Sequence, residues 1–262
     1  MRFFTIVALV VATPLVAAAQ ERPFLFSIAT TRTESKPAVR FDYDVSVGER
    51  AFQSDIANQP EQRVGIQASY GRLTLLGRVG IAEVGSSYQS SQSGELLYSL
   101  LRPTSGVAVA AGGGVLHEPN GVTVLLARVI AGRNADSWLL HGNALLQKPL
   151  SSGRDAVDLI SSVGWARKLA HGVSLGVEAI GEDLEGFWEL EEREGGARLL
   201  AGPSLHISPA AQRWQLIVTG GPLFHSAGTL RSSGAFRDLP PDARRTSYAF
   251  RASLSISHVS DR

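Results

Sequence analysis

Residues 63–81 read RVGIQASYGRLTLLGRVGI. Val64, Ile66, Ala68 and Tyr70 alternate with Arg63, Gly65, Gln67 and Ser69. After Gly71 the alternation resumes, with Leu73, Leu75, Gly77, Val79 and Ile81 set against Arg72, Thr74, Leu76, Arg78 and Gly80. A period of two marks a strand whose two faces meet different surroundings. Two such runs across a short break make a tight antiparallel hairpin. Each run has about the ten residues that a tilted strand needs to cross a bilayer.

The same pattern runs through most of the chain. Val39, Phe41, Tyr43, Val45 and Val47 interleave with Arg40, Asp42, Asp44 and Ser46. Weaker runs cover residues 96–101, 107–115 and 122–131. Stronger ones follow around Trp138 to Leu146, Val157 to Trp165, Val173 to Ala179, Ala197 to Ile207, Trp214 to Val218 and Tyr248 to Ile256. From Val39 onward the reading is twelve strands, with no helical period of comparable length. The predicted connections alternate in length. Short ones fall at residues 70–72, 102–105, 132–136, 168–172 and 208–212, and longer ones at 48–61, 83–94, 116–121, 148–155, 183–195 and 222–245. Short turns on one side and long loops on the other are the habit of outer-membrane barrels. An even strand count places both barrel termini on the short-turn, periplasmic side.

The aromatic residues fit that geometry. In this register Phe41, Tyr70, Tyr98, Trp138, Trp165 and Trp214 lie on the apolar face, each toward the short-turn end of its strand. Rings gathered at one level suggest a girdle at the lipid–water boundary. A sparser level near the long loops would include Trp188, Phe224 and Tyr248. Backbone in lipid must bond within the protein, so a strand-built span has to close into a barrel. The fold expected is therefore all-β: a single closed antiparallel up-and-down transmembrane barrel. The face opposite the apolar row is rich in Gly, Ser and opposed charges, which suits a lumen better than a solvated exterior. A soluble periplasmic β protein binding an apolar ligand is the inside-out alternative, but such barrels usually have about eight strands.

Composition narrows the function. The 262 residues include no cysteine, which excludes a disulfide framework, a thiolate metal site and a cysteine nucleophile. With Lys+Arg 25 and Asp+Glu 24 the chain is nearly neutral, unlike a dedicated nucleic-acid binder. Residues 1–19 (MRFFTIVALVVATPLVAAA) place one early cation before an apolar run and end on small residues, the order of a signal peptide. Residues 20–38 then form a lead-in, within which 23–31 (PFLFSIATT) is a periplasmic segment or one entering the lumen, and 39–262 form the barrel.

No metal-binding signature and no cofactor motif is present, and Gly112, Gly113 and Gly114 lack the strand–loop–helix setting of a phosphate loop. They read as a place where strands bend or pack closely. Some outer-membrane barrels are lipid hydrolases, and His225-Ser226 is the pair to weigh. Adjacent strand residues point to opposite faces, which separates a base from its hydroxyl. No catalytic residue is assigned. The better candidates are charges on the non-lipid face: Arg40, Asp42, Asp44, Arg63, Arg72, Arg78, Arg128, Asp158, Glu178, Glu182, Arg198, Arg213 and Arg251. Such a lining can select or position a charged solute. It equally suits a structural network that fills and stiffens a narrow barrel. Arg78, Arg128, Glu178 and Arg198, read as nearest mid-strand, are the preferred lumen or ligand-binding set.

Residues 164–224 carry a further pattern: GVSLGVE from Gly172 to Glu178, EGGAR from Glu194 to Arg198, AGPS from Ala201 to Ser204, WQL from Trp214, and GGP from Gly220. This stretch resembles proteobacterial outer-membrane barrels of the phenol-degradation MetA-pathway group. The resemblance implies an outer-membrane location and passage of a small molecule, and it carries over no catalytic residue. Many such barrels end in an aromatic residue read by the assembly machinery, whereas this sequence ends SHVSDR. The expected partners are the outer-membrane bilayer, the barrel-assembly machinery during biogenesis and a small-molecule solute. The expected function is a narrow pore or ligand-binding channel.

Overall fold

A computed structural model describes residues 37–48, 61–84, 87–101, 106–118, 121–150, 157–170, 172–187, 197–209, 213–225 and 246–259. The signal peptide, the lead-in before residue 37, Trp188, Ser226 and most long loops lie outside the described residues.

Twelve antiparallel strands form one closed barrel in which each strand pairs with its sequence neighbours. They are β1 (Ala38–Gly48), β2 (Glu61–Tyr70), β3 (Leu73–Val84), β4 (Ser87–Leu101), β5 (Ala108–His117) and β6 (Thr123–Asn134), followed by β7 (Trp138–Pro149), β8 (Asp158–Ala170), β9 (Val173–Glu182), β10 (Arg198–Ile207), β11 (Trp214–His225) and β12 (Thr246–Val259). The seam closes along the whole of β1, from Ala38 opposite Val259 to Gly48 opposite Ala249. Closure removes the exposed edges that an open sheet would present. The β2–β3 turn is tight because Gly71 adopts φ +61°, a left-handed conformation that costs a glycine little.

Alternation decides which face is which. Val64 and Leu75 are each 58% exposed and Val177 is 59% exposed, whereas Arg78 is 7% and Glu95 2% exposed. The valines, leucines and rings therefore cover the outside, and the charges fill the inside. A wall of exposed apolar side chains around a closed sheet is a hydrocarbon-facing surface. Phe41, Tyr70, Tyr98 and Trp165 are exposed on that wall toward the short-turn rim. Phe41 and Trp214 flank the same residue, Ile256, in the sheet register, so part of the girdle is a continuous row.

The lumen is not uniformly polar. Toward the long-loop end Val124, Leu126, Leu145, Ile180, Leu200, Leu223 and Ala249 form a buried apolar band on six strands between β6 and β12. Leu76, Leu97 and Ile130 form a second apolar cluster toward the short-turn end. A belt of charges that includes Glu95, Arg128 and Glu178 occupies the level between them, while Glu182 and Arg198 lie beyond the apolar band toward the long loops.

Three sequence expectations change. Within the loop expected over residues 83–94, residues 83–84 and 87–94 are strand, with Glu83 opposite Tyr88 and Val84 opposite Ser87. Its Ser/Gln-rich sequence lacks an apolar row because a ribbon projecting beyond the bilayer has no lipid face to fill. Arg72 is an exposed turn residue whose guanidinium lies 5.8 Å from the Tyr98 ring, not in the lumen. Arg213 is likewise exposed at the rim and shares a 2.8 Å hydrogen bond with His258. At strand ends the sheet no longer dictates a face, so parity misplaces such residues.

Candidate functional site

The charged level of the lumen is built around two carboxylates. Glu95 on β4 accepts Arg78 Nη1 from β3 at 2.7 Å. On the other side Arg128 of β6 grips it with two donors, Nε at 2.6 Å and Nη2 at 3.0 Å. Arg128 Nη1 reaches on to Asn143 Oδ1 of β7 at 3.4 Å. A paired, bidentate geometry is what makes a buried ion pair tolerable.

Glu95 and Arg128 stand two strands apart, and glycine lets them meet. Gly114 of β5 lies opposite Glu95, and Gly112 lies opposite Arg128. A Cβ on Gly112 or Gly114 would come within 2.7 Å of the Cα of Leu97 or Glu95, so β5 approaches β4 too closely for a side chain there. The expectation of strand bending or close packing at this glycine run agrees with that approach. Gly65 serves Arg78 in the same way, since an added Cβ would stand 3.3 Å from Arg78 Cγ.

Glu178 on β9 is the second centre. His141 of β7 reaches it across β8 at 3.4 Å between Nε2 and Oε1. The strand between carries Gly164, opposite both His141 and Glu178, and the imidazole occupies the space where its side chain would be. In the other direction Thr219 of β11 donates its hydroxyl to Glu178 Oε2, passing Gly202 of β10. Arg251 of β12 approaches Glu178 Oε1 at 3.8 Å. Nearby, His206 Nε2 lies 3.3 Å from Ser204 Oγ, and the His141 and His206 rings are 6.0 Å apart. Asp44 and Arg63, opposite each other on β1 and β2, complete the circuit between β12 and β3.

The result is a belt of buried charged side chains around the lumen. It has donor capacity left over: the buried Arg78 Nη2 and Arg251 Nε have no hydrogen-bond partner. Of the four residues singled out in the sequence, Arg78 and Arg128 share Glu95, and Glu178 stands on the opposite half of the wall. Arg198 is not mid-strand: it is the first residue of β10, at the long-loop end, ion-paired with Glu182. Reading residues 83–94 as a loop concealed Glu95, although Leu96 and Tyr98 on the outer row already imply that Glu95 points inward. His141 and Thr219 were visible as polar residues between apolar ones, but their convergence on Glu178 depends on register across several strands. His225 closes β11, and its expected neighbour in a hydrolase site, Ser226, lies outside the described residues.

A closed twelve-stranded barrel with an apolar exterior and a charged interior has the architecture of outer-membrane β-barrels. The comparisons place it more narrowly by shape. The sequence matches no family model and no curated protein. Among solved structures it is similar to a KdgM porin, with TM-score 0.53 at 11% identity over 84% of this chain and 99% of that one. It is also similar to the NanC porin, with TM-score 0.54 at 6% identity over 82% of this chain and 98% of that one. A KdgM porin in complex with disordered oligogalacturonate matches with TM-score 0.53 at 10% identity, over 84% of this chain and 99% of that one. At these identities the likeness is one of fold.

Proposed function

We propose that the protein is a narrow outer-membrane channel for a small anionic solute, with the mid-lumen belt as its selecting constriction. The observation that carries this reading is the pair of buried guanidinium groups, Arg78 and Arg251, that keep unused N–H donors in the mid-lumen belt. Arg63, Arg78, Arg128 and Arg251 there face Asp44, Glu95 and Glu178, so the belt carries one more cation than anion. A low-dielectric constriction of that sign favours anions over cations. The side chains at this level reach one another along the wall across two and three strands, and a small conductance is expected of a lumen so lined. Nearer the outer mouth Arg198 is paired with Glu182 and stands among the buried acids Glu61, Glu118 and Asp158, so the anion preference is assigned to the belt rather than to the entry. The porin titles of the structural neighbours, and the oligogalacturonate named with one of them, are consistent with such a solute class.

Two finer readings belong to the same proposal. Kinship with the MetA-pathway group rests on the motifs of residues 164–224. Insertion by the barrel-assembly machinery follows from an exported strand-built span that must close in the membrane.

Planar-bilayer recording under a salt gradient tests the reading. The unaltered barrel is expected to pass small currents with a reversal potential on the anion side. Arg78→Glu is expected to move that potential toward cations, and Arg198→Glu to do so more weakly. A barrel that inserts yet conducts nothing, or whose selectivity ignores Arg78→Glu, would contradict it.

A further inference from the structure

The short-turn rim differs from the rest of the exterior in its charge. Among the described residues there, Arg72, Arg133, Arg167 and Arg213 are exposed cations, Lys168 is half-buried, and Asp136 is the one exposed acid. Arg72, Arg133 and Arg167 have no ion pair among the described residues, in contrast to Arg78, Arg128, Arg198 and Arg251 of the lumen. Their placement is unusual as well. Arg167 sits in the hydrocarbon-facing row of β8, between Trp165, 45% exposed, and Leu169, 55% exposed. Arg133 ends the outward row of β6 after Val129 and Ala131. A cation at the headgroup end of that row is tolerated there and gains about 1 kcal/mol beside an anionic lipid.

Three neighbouring strands bring the groups together. Trp138, which opens β7, stands opposite Arg167 of β8. From the other side the Arg133 guanidinium lies 5.2 Å from the centre of the Trp138 ring. Gly106, just before β5, leaves room beside that guanidinium, since an added Cβ there would stand 3.8 Å from Arg133 Nε. The intervening turn is pinned, with Lys168 Nζ donating to the Ala135 carbonyl and Lys168 N to that of Ser137. An indole at the lipid–water boundary, with a guanidinium over its ring and a second exposed arginine opposite it on the next strand, presents an apolar platform and two cations to the same lipid.

We propose that Arg133, Trp138 and Arg167 form a binding site for the phosphodiester headgroup of an anionic phospholipid in the leaflet at the short-turn rim. The acyl chains would run along the apolar wall above Trp165 and Leu140, and the phosphate would bridge the two guanidinium groups. A lipid is the occupant because both cations emerge from the hydrocarbon-facing row, beside exposed leucine and tryptophan rather than in a solvent pocket. The site also orients the barrel, since it fixes this rim in an anionic leaflet. It does not depend on the channel reading.

Native mass spectrometry of the detergent-purified full chain, mixed with phosphatidylglycerol or with phosphatidylcholine of the same acyl chains, tests the site. Phosphatidylglycerol is expected to be retained in preference, by about fivefold for each arginine engaged. Arg133→Gln with Arg167→Gln is expected to abolish the preference, while Lys148→Gln at the opposite rim leaves it intact. An unheated gel shift confirms that each variant is a closed barrel before it is compared. Equal retention of the two lipids, a preference that survives the double substitution, or competition by inorganic phosphate as effective as by the lipid would overturn the proposal.

Discussion

At the scale of single residues, glycine decides who can meet whom inside the barrel. A lumen side chain normally faces its neighbours on adjacent strands. Where the intervening strand carries glycine, residues two strands apart come into contact, as His141 and Glu178 do across Gly164. Valine at position 164 would claim the space that the imidazole holds. Gly164→Val is therefore expected to destabilise the folded barrel by about 1–3 kcal/mol, the usual cost of overpacking. His141→Ala in the same chain is expected to recover part of that loss, with a coupling of about 0.5–3 kcal/mol. Urea unfolding in lipid vesicles, followed by tryptophan fluorescence, measures all four corners of that cycle. Additive effects would mean that His141 does not occupy the place above Gly164.

At the scale of the strand, the alternating pattern places most side chains correctly, because a one-residue slip would carry a whole apolar row into the lumen. That is why Val64, Leu75 and Val79 were legible as lipid-facing and Arg78 and Arg128 as interior. The pattern fails where its physical cause fails. Beyond the bilayer the β3–β4 ribbon has no lipid to face, so Ser87 to Gly94 reads as loop and Glu95 is lost with it. At strand ends Arg72 and Arg213 escape the parity rule. Arg198 was placed mid-strand although the alternating run was itself read from Ala197, so its position at the strand's first residue was already legible. Depth in the bilayer is a property of the strand that substitution can probe. Val79→Arg, on the outer row beside Arg78, is expected to cost about 2–4 kcal/mol if that position lies near the midplane. Unfolding free energy in vesicles checks it, and a change near zero would place Val79 at an interface or in water.

At the scale of the molecule, the architecture follows from periodicity rather than from particular residues. That accounts for a fold shared with the KdgM and NanC porins at 11% and 6% identity. Strand number, closure and the inside–outside division survive any substitutions that preserve the alternation. The belt does not survive so freely. Which carboxylate holds which arginine depends on register around the full circle and on glycines at matched heights, and neither can be read from one strand at a time. The lumen's two apolar clusters are similarly invisible along the chain, because each is assembled from single residues on separate strands.

The most direct test of the account is a site-directed spin-label scan along β2 and β3, which the absence of native cysteine makes simple. Nitroxides at Val64, Ile66, Leu75 and Val79 are expected to collide with oxygen and to be shielded from a polar nickel reagent. Labels at Gln67, Thr74 and Leu76 should show the reverse or be shielded from both. A polar reagent reaching Leu75 and Val79 freely, or collision rates without a period of two, would contradict a barrel that turns its apolar face to hydrocarbon.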